Sequence, residues 1–115
     1  LLEGDGFTVD TAENGQVAVD MVRQSRPGTY GLILMDIQMP VMDGYQAARA
    51  IRALPDQALA AIPIIALSAN SFEQDKRKSM ECGMNAHLAK PIDLPLLLST
   101  IDALTKRPEV YKIRN

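Results

Sequence analysis

Three polar residues of complementary chemistry, an acid, a hydroxyl and a cation, each follow directly on a short apolar run: Asp36 after LILM, Ser68 after PIIAL and Lys90 after AHLA. They stand 32 and 22 positions apart, too far for one helix face or one loop to unite them. Parallel strands would do so, because the residues that end them share one edge of the sheet. A carboxylate, a hydroxyl and an ammonium group converging there suit phosphoryl transfer, where catalysis is mostly positioning and charge neutralisation. Asp36 would be the nucleophile and form an aspartyl phosphate. Ser68 would donate a hydrogen bond to a phosphoryl oxygen, and Lys90 would neutralise another as a compact point charge. Taken singly, each residue has a plainer reading as a helix cap or a water contact; the three in series outweigh it.

The intervening segments are those that a parallel sheet requires. Leu1 and Leu2, followed by Gly4 and Gly6, read as the last turn of an apolar-faced helix. Phe7 to Thr11 alternates apolar and polar, as a half-buried edge strand does. Asn14 caps a helix to about Ser25 with Val17, Ala18, Met21 and Val22 as its apolar stripe, and Arg26, Pro27 and Gly28 stop it. Leu32 to Met35 is an unbroken apolar run between breakers, hence a strand buried on both faces. Asp43 caps a helix to about Leu54, with Ala47, Ala48, Ile51 and Leu54 facing inward. Pro63 to Leu67 is a second buried strand, and a helix starts at Asn70 or Ser71. That helix, Phe72 to Cys82, is rich in charge and has few apolar anchors beyond Phe72 and Met80, so it is expected to be loosely held. Ala86 to Ala89 forms a short last strand, and Asp93 caps a helix that presents Leu94, Leu97, Leu98, Ile101 and Leu104. The expectation is an α/β fold, a three-layer arrangement with helices on both faces of a parallel sheet. Residues 1–105 form the domain, and the polar tail 106–115 reads as a linker or a truncated helix.

Composition excludes several functions. The chain has 115 residues, one domain's worth, with a net charge of -2, which gives no electrostatic footprint for direct nucleic-acid binding. No apolar run reaches the ~18 residues of a membrane span, so this segment is expected to make no membrane contact. Cys82 is the single cysteine, which points to a reduced, cytoplasmic setting, although a longer parent protein is free to be membrane-anchored. Its thiol reads as buried structure at a helix end, with a reactive nucleophile as the alternative. A small enzyme or nucleotide binder of similar architecture would need a Gly-rich loop such as G-x-G-x-x-G, which the chain lacks.

The segments TAENGQVAV, LMDIQMPVMDG, PIIALSAN and AHLAKPID, in that order and spacing, resemble the receiver domains of two-component signalling. The resemblance runs from Leu1 to about Leu104 and is greatest to the receiver modules of hybrid sensor histidine kinases. It implies a flavodoxin-like fold in which Asp36 takes phosphate from a partner histidine, on a histidine kinase or a phosphotransfer domain, with Mg2+ required. It implies that Ser68 and Lys90 bind the phosphoryl group and that Asp36 and the backbone carbonyl of Gln38 are metal ligands. His87, the sole histidine, falls where the family carries a residue that changes rotamer on phosphorylation. Ser68 and His87 are therefore the expected switch pair, with a plain strand side chain or a phosphodonor histidine as alternatives for His87. The side chains of Gln38 and Asn70 are candidates for tuning water access, Asp43 reads as a cap rather than a ligand, and the bond before Pro91 is expected to be cis by resemblance.

The family also opens with a first strand ending in two adjacent acids that bind Mg2+, and neither the strand nor the acids precede FTVDT here. Asp5 and Glu13 fall on a helix-end turn and a loop and do not substitute. The expectation is therefore a domain lacking its first strand and most of its first helix, with two unpaired interior edges and weakened Mg2+ binding. Either residues ahead of Leu1 complete it, or a homodimer or exchanged element does. The function expected is a phosphoacceptor module that promotes transfer to its own Asp36, the parent being a hybrid kinase; the alternative is a pseudo-receiver that binds partners without phosphorylation.

Overall fold

Alternate residues of two short apolar strands face opposite ways, and that alternation builds the whole molecule. In the computed structural model, which describes residues 8–38, 41–69, 73–105 and 112–114, the four expected strands and four expected helices alternate as predicted, and two further elements, a short helix and a last strand, join them. They are β1 (Thr8–Asp10), α1 (Gly15–Gln24), β2 (Leu32–Asp36), α2 (Gly44–Arg52), a short α3 (Gln57–Ala60), β3 (Ile64–Ser68), α4 (Glu73–Glu81), β4 (Ala86–Ala89), α5 (Leu94–Thr105) and β5 (Lys112–Arg114). Ile33, Met35, Ile64 and Ala66 turn to one face, where they pack with Ala18, Val19 and Val22 of α1 and Ala47, Ala48 and Ile51 of α2. Leu32, Leu34, Ile65 and Leu67 turn to the other and meet Leu97 and Ile101 of α5. The result is the predicted three-layer α/β fold.

Local signals place the helices. The Asn14 side chain accepts from Val17 N at 2.9 Å and starts α1. Asp43 accepts from Gln46 N at 2.9 Å while the Gln46 side chain accepts from Asp43 N at 3.1 Å, a capping box that starts α2. The apolar stripe of α1 differs from the expected one: Val19 is buried and Val17 is 37% exposed, because the helix rolls so that Gly15, Ala18, Val19 and Val22 face the sheet. Ser79 of α4 and Cys82 just beyond its end are buried, whereas Met80 is 56% exposed. The expected helix stub at Leu1–Gly6, the Asn70 or Ser71 cap and the Phe72 anchor lie outside the described residues.

The sheet has the order β1-β5-β2-β3-β4, and every pairing is parallel. The slot between β1 and β2 is filled from the C-terminal segment, where the sequence predicts a linker or truncated helix. Residues Lys112–Arg114 pair with Thr8–Asp10 on one side and with Leu32 and Ile33 on the other. The two interior edges expected to be open are thereby joined within the chain along those residues. The physical reason is backbone demand: two facing strand edges offer donors and acceptors that an extended segment between them satisfies.

Candidate functional site

Parallel pairing of β2, β3 and β4 brings the three predicted residues to one edge. Asp36 ends β2 and stands opposite Leu67; Ser68, the next residue, ends β3 and stands opposite Ala89 of β4. Lys90 follows directly, its amide donating to the Ser68 carbonyl at 2.7 Å. From there its Nζ reaches Asp36 Oδ2 at 2.5 Å. The other carboxylate oxygen, Oδ1, accepts the Gln38 amide at 3.0 Å. Ser68 is 3% exposed, whereas the Asp36 and Lys90 side chains are 34% and 39% exposed. The acid is therefore held by a buried strand and opens onto solvent, where a reactant can approach.

Two glycines set this edge. A Cβ on Gly44 would fall 2.7 Å from the Asp36 carbonyl oxygen and 2.8 Å from Ile37 Cα. Gly44 N also donates to Ile37 O at 3.0 Å, so the start of α2 rests directly on the backbone that carries Asp36. On the next contact out, Gly15 N donates to Met42 O at 3.2 Å, and a Cβ there would sit 2.3 Å from that oxygen. Between these contacts Val41 adopts φ 68 and is 83% exposed, a left-handed conformation unusual for a β-branched residue. Sequence reasoning noted Gly44 but missed Gly15 and Val41, since neither close approach has a local signature.

The other candidates divide. Asp43 is a cap, its carboxylate taken up by the α2 amide. Cys82 is 2% exposed and sits in the apolar cluster, as a structural thiol does. The Lys90-Pro91 bond is cis. The Gln38 side chain is exposed, while Asn70 and Asp5 lie outside the described residues. His87 is half-buried on β4, with Nδ1 3.0 Å from Ser79 Oγ. Arg52, which the sequence did not single out, donates to the carbonyls of Gly83 at 2.8 Å, Ala60 at 2.6 Å and Ile62 at 2.7 Å, and to Asn85 Oδ1 at 2.9 Å. Burial pulls its guanidinium pKa below the ordinary value.

For a divalent cation the described residues offer the Asp36 carboxylate and the Gln38 carbonyl. Among them no group of three or more His, Cys, Asp or Glu is placed to hold a metal ion. Two oxygens do not make a site for a hard cation that prefers six. On the described residues alone, Mg2+ does not fit.

The geometry has close counterparts. A family model described as the response regulator receiver domain matches residues 1–102. Histidine kinase 1 of Arabidopsis thaliana is 46% identical over 104 residues, covering 90% of this chain and 8% of that protein. Sensor protein GacS of Pseudomonas syringae pv. syringae is 43% identical over 93 residues, covering 80% of this chain and 10% of the relative. The chain thus spans about a tenth or less of these curated relatives. Among solved structures, the receiver domain of sensor histidine kinase PA1611 from Pseudomonas aeruginosa, with a magnesium ion coordinated in its active-site cleft, superposes with TM-score 0.79 at 36% identity, covering 92% of this chain and 83% of that one. The receiver domain of Ssk1, co-crystallised with the histidine phosphotransfer protein Ypd1 of Saccharomyces cerevisiae, is matched in a further comparison: TM-score 0.80, 34% identity, covering 91% of this chain and 76% of that one. With matching sequence across residues 1–102 and a fold shared with solved receivers, the chain belongs to the response regulator receiver domain family.

Proposed function

We propose that the chain is the phosphoacceptor module of a His-Asp phosphorelay, and that Asp36 is the acceptor. An Asp36 oxygen attacks the phosphorus of a phosphohistidine on a partner kinase or phosphotransfer protein; the O–P bond forms, the P–N bond breaks, and the imidazole leaves and takes up a proton. Lys90, now paired with Asp36, neutralises charge on the incoming phosphoryl oxygens, and the Ser68 hydroxyl donates to another. The observation that carries this reading is the Asp36 carboxylate at an open strand end, with Lys90 on one oxygen and the Gln38 amide on the other.

Mg2+ is part of the proposal only as a requirement to be measured: this chain would offer it Asp36 and the Gln38 carbonyl. His87 and Ser68 would carry the conformational response, and the module would work in the cytoplasm. No helix among the described residues is long and apolar enough to cross a membrane. The retained acid, hydroxyl and lysine weigh against a pseudo-receiver.

The test is transfer of radiolabelled phosphate from a phosphorylated histidine phosphotransfer protein, with and without Mg2+. The expected product is a hydroxylamine-sensitive label on the chain that Asp36→Asn abolishes. A label that survives Asp36→Asn, or none on the folded wild-type chain in the presence of Mg2+, overturns the reading.

A further inference from the structure

Ser79 is a wholly buried hydroxyl, 0% exposed, that the phosphoryl chemistry does not use. It projects from α4 towards β4, and two polar atoms meet it in well-formed geometry. The hydroxyl donates to the Asp75 carbonyl at 3.0 Å, and His87 Nδ1 lies at 3.0 Å from the same oxygen. A serine hydroxyl has one hydrogen and two lone pairs, and a backbone carbonyl can only accept. The hydrogen is therefore committed to Asp75. What Oγ presents to His87 is a lone pair, so Nδ1 must bring its own proton.

We infer that Ser79 is a positioning residue that holds His87 as the Nδ1–H tautomer, turned towards α4, and thereby makes β4 and α4 move as one body. A neutral ring held this way keeps its lone pair on Nε2. The tautomer is the reverse of the one a free histidine side chain favours. The contact joins α4 to the sheet through a partly buried hydrogen bond, which a displacement of several tenths of an ångström already weakens. The Lys78 ammonium of α4 also lies 4.5 Å from the centroid of the Tyr45 ring of α2, a second contact that ties α4 to its surroundings.

The signalling meaning of this contact rests on the reading of His87 as a switch residue; the tautomer does not. The chain has a single histidine, so a long-range nitrogen–proton correlation spectrum of the 15N-labelled protein reports His87 without assignment. At a pH where the ring is neutral, the expected pattern is a protonated, pyrrole-type Nδ1 and a pyridine-type Nε2. Ser79→Ala should move the majority of the ring to Nε2–H, and Ser79→Thr, which keeps the hydroxyl, should retain Nδ1–H. A wild-type ring that is mainly Nε2–H overturns the inference, as does an unchanged pattern in folded Ser79→Ala. If Ser79→Ala does not fold, the wild-type and Ser79→Thr spectra still decide. A second arm phosphorylates the chain: wild-type His87 and the α4 amides should shift together, and in Ser79→Ala the α4 shifts should fall to less than half. Equal α4 shifts in both proteins overturn the coupling. An unlabelled Asp36 would overturn the proposed function alone, since the tautomer measurement needs no phosphate.

Discussion

Lys90 Nζ lies 2.5 Å from Asp36 Oδ2, joining residues 54 positions apart in sequence at the mouth of the site. Both side chains are more than a third exposed, so water and salt screen the pair and its contribution to stability is small, about 0–1 kcal/mol. Its chemical contribution is of another size. Removing an aimed charge from a developing phosphoryl transition state typically costs about a hundredfold in rate or more. Lys90→Met is therefore expected to leave urea denaturation almost unchanged while phosphotransfer to Asp36 falls by about two orders of magnitude.

Gly44 supports the site from behind. Any side chain there meets the backbone of Asp36 and Ile37, which cannot swing aside as a flexible side chain would. Gly44→Ala should destabilise the fold by about 1–3 kcal/mol and also slow phosphotransfer, because relief comes by shifting Asp36. Denaturation and transfer kinetics on the same variant measure the two effects.

Arg52 clips α2 to the turns before β3 and β4 through three carbonyls and Asn85. Losing its fork leaves partly buried acceptors without charge-assisted partners, and Arg52→Met should cost about 3 kcal/mol. Arg52→Lys should recover little, since one ammonium cannot reproduce the planar fork. Thermal denaturation of both variants checks this.

Tyr45 gives the fold an alkaline limit. Burial raises its pKa above the ordinary 10.0, with the Ser79 hydrogen bond opposing and nearby acidic groups adding to the rise. The folded chain thus holds the phenolic proton more tightly than the unfolded chain does. The associated stability is fully present below pH 10 and is lost as pH rises through the folded pKa. Stability measured from neutral pH to strong alkali should fall more steeply for wild type than for Tyr45→Phe.

The C-terminal strand is a separable addition. β5 pairs with three residues of β1 and two of β2. At about 0.5–1.5 kcal/mol per backbone hydrogen bond, ending the chain after Thr105 should remove about 3 kcal/mol. Amide exchange should show β1 and the start of β2 losing protection while β3 and β4 keep theirs.

Sequence alone determined much of this protein, wherever a property is local. The runs LILM and PIIAL are too short and too apolar for anything but buried strands, and Asn14 and Asp43 start helices through contacts three residues away. Once those strands are parallel, the convergence of Asp36, Ser68 and Lys90 follows, which is why the site could be read before its distances were known. Tertiary structure decided what depends on partners distant in the chain. The Ser79 contact with His87 joins a helix to a strand, and nothing in RKSMECG marks that serine as the residue that turns inward. Arg52 looks like one more charge on an amphipathic helix until Ala60, Ile62, Gly83 and Asn85 surround it. The strand at Lys112–Arg114 is the clearest case: its polar flanks read as a tail, and only the unmet backbone bonds between β1 and β2 make it an interior strand of the sheet.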